Sequence, residues 1–233
     1  MRLASGSKLS NAIRGVVFDL DGTLVDSAVD FTRMKERMIK ILEGNGVPRG
    51  LLTPQETTVV IQEKAERVWE DQGKPVDERA RIREEMETVM DLTEMEAAAT
   101  TVEVQGALDA VKRLRERGYV LAVLTRSHCA YAMEVLRKTG MLDYFDLVLG
   151  RKETPRPKPY PEALQHTAKL MGLELNEIVF VGDHHIDASC AENARCHFIG
   201  VRTGPRGEES WNQRNPDTLL DSVQDLPGHL SRM

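Results

Sequence analysis

The sequence predicts an α/β fold, a doubly wound parallel sheet interrupted once by an all-helical insertion. Five short apolar runs, Val16–Asp19, Leu121–Thr125, Asp146–Leu149, Ile178–Gly182 and His197–Val201, are continuous rather than alternating. That pattern marks strands covered by helices on both faces. Helical stripes separate the later runs, and such β-α-β alternation favours parallel pairing. Between Ser27 and about Val104 the pattern is helical throughout, with no convincing strand.

The first run ends at two carboxylates, Asp19 and Asp21, with Gly22 directly after. In the helical interval Phe31, Met34, Met38, Ile41 and Leu42 share one face. Pro54 is expected to open a second helix through Ile61, Ala65 and Val68. A third, Asp77 to Ala99, carries Ile82, Met86 and Val89 as its stripe. Gly44, Gly46, Pro48, Gly50, Gly73 and Pro75 punctuate the gaps. Met34, Met38, Met86, Met90 and Met95 are assigned to the core of this block.

Beyond it, Ala107–Arg117 has Leu108, Val111 and Leu114 on one stripe and stops at Gly118. Ala130–Lys138 carries Tyr131, Val135 and Leu136 and ends before Gly140. Pro161 suits the first turn of a helix running to Met171, through Leu164 and Ala168, with Gly172 as its stop. Asp187–Arg195 is short and alanine-rich, and Thr203–Asp217 reads as a loop. The expected organisation is a core from residues 1–27 and 105–233 with an inserted helical domain over 28–104 that looks like a separate lid.

Composition narrows the partners. The net charge of −6 and the absence of a basic stripe argue against nucleic acid. No stretch approaches the roughly 20 apolar residues of a membrane span. Met1–Gly15 has Arg2, Lys8 and Arg14 but no apolar segment, so it does not read as a secretory signal. Cys129, Cys190 and Cys196 are odd in number and lack C-x-x-C spacing, which fits a reducing cytoplasm. Oligomeric state is not legible.

In an open parallel sheet, ligands bind beyond the carboxyl ends of the strands. The first run delivers Asp19 and Asp21 there, the second Thr125, Arg126 and Ser127, and the fourth Asp183 with Asp187 following. Lys158 sits between Pro157 and Pro159 ahead of a helix. Gathering carboxylates out of bulk water is unfavourable unless a cation relieves them. Magnesium prefers oxygen ligands, so Asp19 and Asp183 are expected to bind it directly and Asp187 through a water. Asp19, screened by metal and Lys158, is the candidate nucleophile. Asp21, on a turn loosened by Gly22, is the candidate general acid and base. Thr125, Lys158 and the backbone amides near Gly22 are candidates to hold phosphoryl oxygens, and Arg126 to contact substrate.

These motifs resemble the haloacid dehalogenase superfamily of hydrolases. D-L-D-G-T-L-V-D-S at 19–27, Leu124-Thr125, Lys158 within R-P-K-P, and G-D-x-x-x-D at 182–187 match its four motifs in order, across nearly the whole chain. The resemblance implies a Rossmann-like core, a mobile cap, magnesium on Asp19, Asp183, Asp187 and the backbone carbonyl of Asp21, and an aspartyl-phosphate intermediate. The nearest branch is similar to phosphoglycolate phosphatase. His184 stands where a small hydroxyl residue is common, Arg126 where Asn is frequent, and Tyr160 where an acid or other polar residue often stands. Neighbours at a helix start are not expected to face one another. The pair His184-His185 therefore reads as local packing or hydrogen bonding rather than a transition-metal site.

The leading function is a magnesium-dependent phosphatase for a small phosphorylated metabolite, phosphoglycolate-like or a sugar phosphate. Arg33, Lys35, Arg37 and Lys40 on the first cap helix are candidates to hold a substrate carboxylate. A sugar phosphomutase would keep the same site but return the phosphoryl group to a sugar. A catalytically silent phosphate binder is opposed by Asp21, since an extra anion weakens phosphate binding.

Overall fold

A computed structural model of the chain describes residues 12–212 and 216–232. The reading of Met1–Gly15 as no secretory signal falls mostly outside these residues, as does Asn215 of the expected loop. The chain divides into two compact units, Met1–Asp26 with Val102–Met233, and Ser27–Thr101.

The larger unit opens with β1 (Gly15–Phe18) and β2 (Val25–Asp26). The smaller unit consists of α1 (Phe31–Gly44), α2 (Thr58–Asp71) and α3 (Val76–Ala97). The larger resumes with β3 (Val102–Glu103), α4 (Ala107–Glu116), β4 (Val120–Leu124), α5 (Cys129–Lys138), β5 (Leu147–Leu149) and α6 (Pro161–Met171). It finishes with β6 (Ile178–Gly182), α7 (His185–Ala194), β7 (His197–Val201), β8 (Thr218–Leu220) and α8 (Leu226–Leu230).

Six parallel strands form one sheet in the order β5-β4-β1-β6-β7-β8. The chain builds outward from β1 to one side and then from β6 to the other, so the order reverses beside β1. That reversal opens the crevice in which such sheets bind ligands. β1 and β6 are buried at every position, which accounts for their unbroken apolar runs. On one face Val17, Ala122, Leu124 and Phe180 pack against Ala163, Leu164 and Ala168 of α6 and Ala188 and Ala191 of α7. Each fully buried large apolar side chain there stabilises the fold by about 1.5–3 kcal/mol.

Three differences from the sequence reading have local causes. Thr218–Leu220 pairs with β7 as an edge strand. It is three half-buried residues long and too short to show a period. Val102 and Glu103, inside the expected helical interval, pair antiparallel with Asp26 and Val25. They belong to the sheet-bearing unit for that reason. The second helix starts at Thr58, not Pro54. The Thr57 side chain accepts from the Val60 N–H, while the Glu56 carboxylate takes the Thr53 N–H and closes a separate turn first.

Within the helical unit, Met34, Met38 and Leu42 meet Ile61, Ala65 and Trp69 and then Ile82, Met86 and Met90. The Trp69 indole N–H donates to the Asn45 carbonyl at 2.9 Å. Met95 lies outside this core, 43% exposed.

Candidate active site

Asp19 extends the β1 ladder by one residue, its N–H donating to the Val181 carbonyl at 2.8 Å. This fixes it beside the carboxyl end of β6, where Asp183 follows Gly182. Gly22 has φ +85°, and a Cβ on it would lie 2.6 Å from Asp183 Oδ2. Only glycine fits both the left-handed backbone and the close approach. Gly204, in the loop after β7, packs so closely that a Cβ would fall inside the Asp183 carboxylate. Thr23 Oγ1 donates to Asp183 Oδ1 at 3.4 Å, and Thr203 Oγ1 donates to the Gly22 carbonyl at 2.6 Å. The loop after β7 is thus tied to the turn after β1.

Asp187 stands in the first turn of α7 as one half of a reciprocal cap. Its Oδ2 accepts the His184 N–H at 3.2 Å, and His184 Nδ1 accepts the Ile186 N–H at 3.3 Å. Oxygens of Asp19, Asp183 and Asp187 lie within 4.8 Å of one another, and all three residues are buried. Lys158, 2% exposed, places Nζ 2.6 Å from Asp19 Oδ1 and 2.7 Å from Asp187 Oδ1.

The Lys158 ammonium pairs directly with two of the three buried carboxylates, Asp19 and Asp187. Burial pushes the Asp19 carboxyl up to about 6, with Lys158 opposing the rise and Asp187 adding to it. Burial also raises Asp183 well above the ordinary range, reinforced by Asp19 and Asp187. Burial works to lower the Lys158 pKa, yet Asp187 and Asp19 outweigh it and hold the ammonium more firmly charged than in water. Three buried oxygen donors, electrostatically strained as a group, suit a hard divalent cation such as magnesium.

Thr125, 3% exposed, directly follows β4. Its Oγ1 accepts the Ser127 N–H at 3.0 Å, which leaves the hydroxyl hydrogen available to a ligand. Arg126 follows, half-buried, its carbonyl accepting from Arg151 Nη1 at 3.1 Å. Burial lowers its pKa, while Asp187 and Asp19 act to raise it, so its guanidinium feels the field of the acid cluster.

The Asp21 carboxylate does not join the cluster. It accepts from Ser127 Oγ at 2.7 Å and from Tyr131 Oη at 3.0 Å. Of the expected metal ligands, the acid cluster thus gathers the side chains of Asp19, Asp183 and Asp187 but not that of Asp21. The two imidazoles of His184 and His185 do face each other, with centroids 4.0 Å apart, contrary to expectation. Residues at a helix boundary need not diverge as they do within a helix, because His184 has extended backbone. Burial, then the positive neighbours His185, Arg206, Arg126 and Lys158, push the His184 pKa down to about 3.

The sequence reading placed Ser127 at the strand ends without a role, and did not find Tyr131, Thr203 or Gly204 as site residues. Tyr131 sat in the apolar stripe of its helix, and Gly204 in a segment read as loop. In the helical unit, Lys35 donates to the Glu56 carbonyl and Arg37 to Thr93 Oγ1, while Arg33 and Lys40 are exposed.

Residues 16–201 match the family model for haloacid dehalogenase-like hydrolases. The chain is 30% identical to a phosphoglycolate phosphatase of Salmonella typhimurium, over 94% of this chain and 92% of the relative. A phosphoglycolate phosphatase of Escherichia coli is 28% identical, over 92% and 91%. Among solved structures, a hydrolase from Pseudomonas syringae superposes with a TM-score of 0.68 at 18% identity, over 94% of this chain and 99% of that one, a likeness of fold. The match of the family model across β1 to β7, including every residue of the acid cluster, makes the chain a haloacid dehalogenase-like hydrolase.

Proposed function

We propose that the protein is a magnesium-dependent phosphatase of a small phosphorylated metabolite, phosphoglycolate or a close relative, working through an aspartyl-phosphate on Asp19. The observation that carries this is the buried group Asp19, Asp183 and Asp187 with Lys158 bridging two of them, at the carboxyl ends of parallel strands. The names of the relatives support the substrate class.

Asp19, Asp183, Asp187 and the Asp21 carbonyl would hold the metal, which when bound neutralises the carboxylates and draws charge from the phosphoryl oxygens. Thr125 Oγ, Lys158 Nζ and the amides near Gly22 orient those oxygens and stabilise their charge as it redistributes. An Asp19 oxygen attacks phosphorus, and the ester P–O bond breaks. The leaving oxygen takes its electron pair and a proton from Asp21. Asp21, now anionic, removes a proton from the water that attacks the acyl-phosphate. Phosphate departs and Asp19 is regenerated. Arg126 is assigned to the anionic tail of the substrate, and further selection among metabolites to the helical unit, because Thr125, Lys158 and the amides near Gly22 address only the phosphoryl group. A reducing, cytoplasmic setting belongs to the same reading, since Cys129, Cys190 and Cys196 are free thiols.

The test is phosphate release from 2-phosphoglycolate and a panel of sugar phosphates, with magnesium or chelator, plus trapping of labelled phosphate. Magnesium-dependent release with acid-stable, hydroxylamine-labile label on Asp19 is expected. Turnover in chelator at the magnesium rate, or label on another residue, would overturn the reading.

A further inference from the structure

Two hydroxyl groups on Asp21 have no part in the chemistry described so far. Ser127 Oγ donates to Oδ2 at 2.7 Å and Tyr131 Oη to Oδ1 at 3.0 Å. One donor on each oxygen fixes the rotation of the carboxyl plane as well as its position. Both donors are themselves immobilised. The Tyr131 side chain is 0% exposed and Ser127 3%. The Ser127 N–H is held by Thr125 Oγ1 at 3.0 Å, and His128 Nδ1 caps the helix that carries Tyr131 by accepting from the Ala130 N–H at 3.1 Å. Ser127 lies just ahead of α5 and Tyr131 in its first turn, and both hydroxyls reach the same carboxylate. A core stripe needs only the ring of Tyr131, which phenylalanine would supply equally; the phenol oxygen serves Asp21.

We propose that Ser127 and Tyr131 are positioning residues for Asp21, orienting its carboxyl group for proton delivery to the leaving oxygen. The inference rests on the reading of Asp21 as general acid. As the ester P–O bond breaks and the Asp21 proton moves to the leaving oxygen, the carboxyl becomes an anion, and both hydroxyl donors bind the anion more strongly than the acid. Their interaction thus grows along the reaction coordinate, which is the condition for lowering a barrier rather than only binding a ground state. The Thr125 hydroxyl, by holding Ser127, links the phosphoryl-binding residue to the proton donor.

The experiment compares kcat/KM for phenyl phosphate and p-nitrophenyl phosphate, with saturating magnesium, in the full chain. Phenol has a pKa near 10, like tyrosine, and needs protonation to leave, whereas nitrophenolate leaves unaided. Tyr131→Phe is expected to lower kcat/KM for phenyl phosphate by about 10- to 100-fold and for p-nitrophenyl phosphate by less than about threefold. Ser127→Ala shifts the ratio the same way, and Ser127→Thr, which keeps the hydroxyl, restores it. Circular dichroism and melting temperature establish that each variant is folded, and Ser127→Ala carries the test if Tyr131→Phe is not. Equal losses on both substrates, or no loss, in the Tyr131 and Ser127 variants would overturn the proposal when Asp21→Asn shows the phenyl-selective loss. If Asp21→Asn loses both substrates equally, the general-acid reading itself fails.

Discussion

Replacing Asp19 with asparagine is expected to abolish turnover and, without metal, to make the protein more stable at neutral pH. Asp19 is 9% exposed, and burial raises its carboxyl from 3.8 to about 6 even with the Lys158 ammonium opposing the rise. A carboxyl that binds its proton more tightly when folded favours folding below its unfolded pKa. That contribution is lost as the pH rises through the folded value. Above about pH 6, the ionised group therefore costs about 3 kcal/mol relative to its neutral form. Asp19→Asn has the shape of the neutral acid and keeps an oxygen for the Lys158 N–H. Urea denaturation in chelator should show the variant ahead by up to about 3 kcal/mol at pH 7.5, with the two proteins converging toward pH 4. Magnesium should narrow or reverse the gap, because ligand binding to the folded state stabilises the wild type by mass action. A variant equal to or less stable than the wild type at every pH would refute the view of the acid cluster as a strained, cation-seeking group. A variant with full turnover would refute Asp19 as nucleophile.

Lys158→Met removes the cation shared by Asp19 and Asp187. Breaking a buried pair leaves uncompensated charge worth about 3–5 kcal/mol, and kcat/KM should fall about 100- to 1,000-fold with a lower melting temperature. Gly204→Ala places a methyl group inside the Asp183 carboxylate, so the magnesium-induced rise in melting temperature should disappear, along with turnover, while circular dichroism remains native. Arg126→Ala should raise KM for 2-phosphoglycolate by about tenfold or more but leave p-nitrophenyl phosphate within about threefold, the loss of one charge-assisted contact. Arg126→Lys should recover part of the difference.

The sheet and the acid cluster were legible because the features that create them are local. An apolar run buried on both faces reads as one uninterrupted stretch, and a carboxylate at its tip stands out against it. Gly172 after Met171 and Pro161 at the start of α6 end that helix by backbone chemistry that any sequence displays. The clamp on Asp21 was not legible. Ser127 and Tyr131 are separated from it by more than a hundred positions, and only the pairing of β1 with β4 brings them together. Tyr131 also satisfies the apolar stripe of α5, so its ring concealed the role of its hydroxyl. Gly204 was hidden differently. Its side-chain absence matters because of what lies against it, and proximity to Asp183 is a fact of the β6–β7 pairing rather than of the segment. Thr218–Leu220 escaped because three residues cannot display a period.

Asp19 and Asp21 are two positions apart, yet their carboxylates have different partners, and the sheet order supplies the reason. β1 lies between β4 and β6. Asp19 still belongs to the ladder with β6 and turns its carboxylate toward Lys158, among the buried acids. Asp21 lies past the ladder on the Gly22 turn and reaches the β4 side, where neutral hydroxyls receive it. A nucleophile must be anionic beside a cation, whereas a proton carrier must change charge without losing its place. Neutral donors tolerate both states of Asp21, and an ammonium would not. An edge strand has one neighbour and could serve only one of these environments. A central strand where the sheet order reverses has one on each side, so two acids two positions apart meet the different surroundings that the proposed roles require.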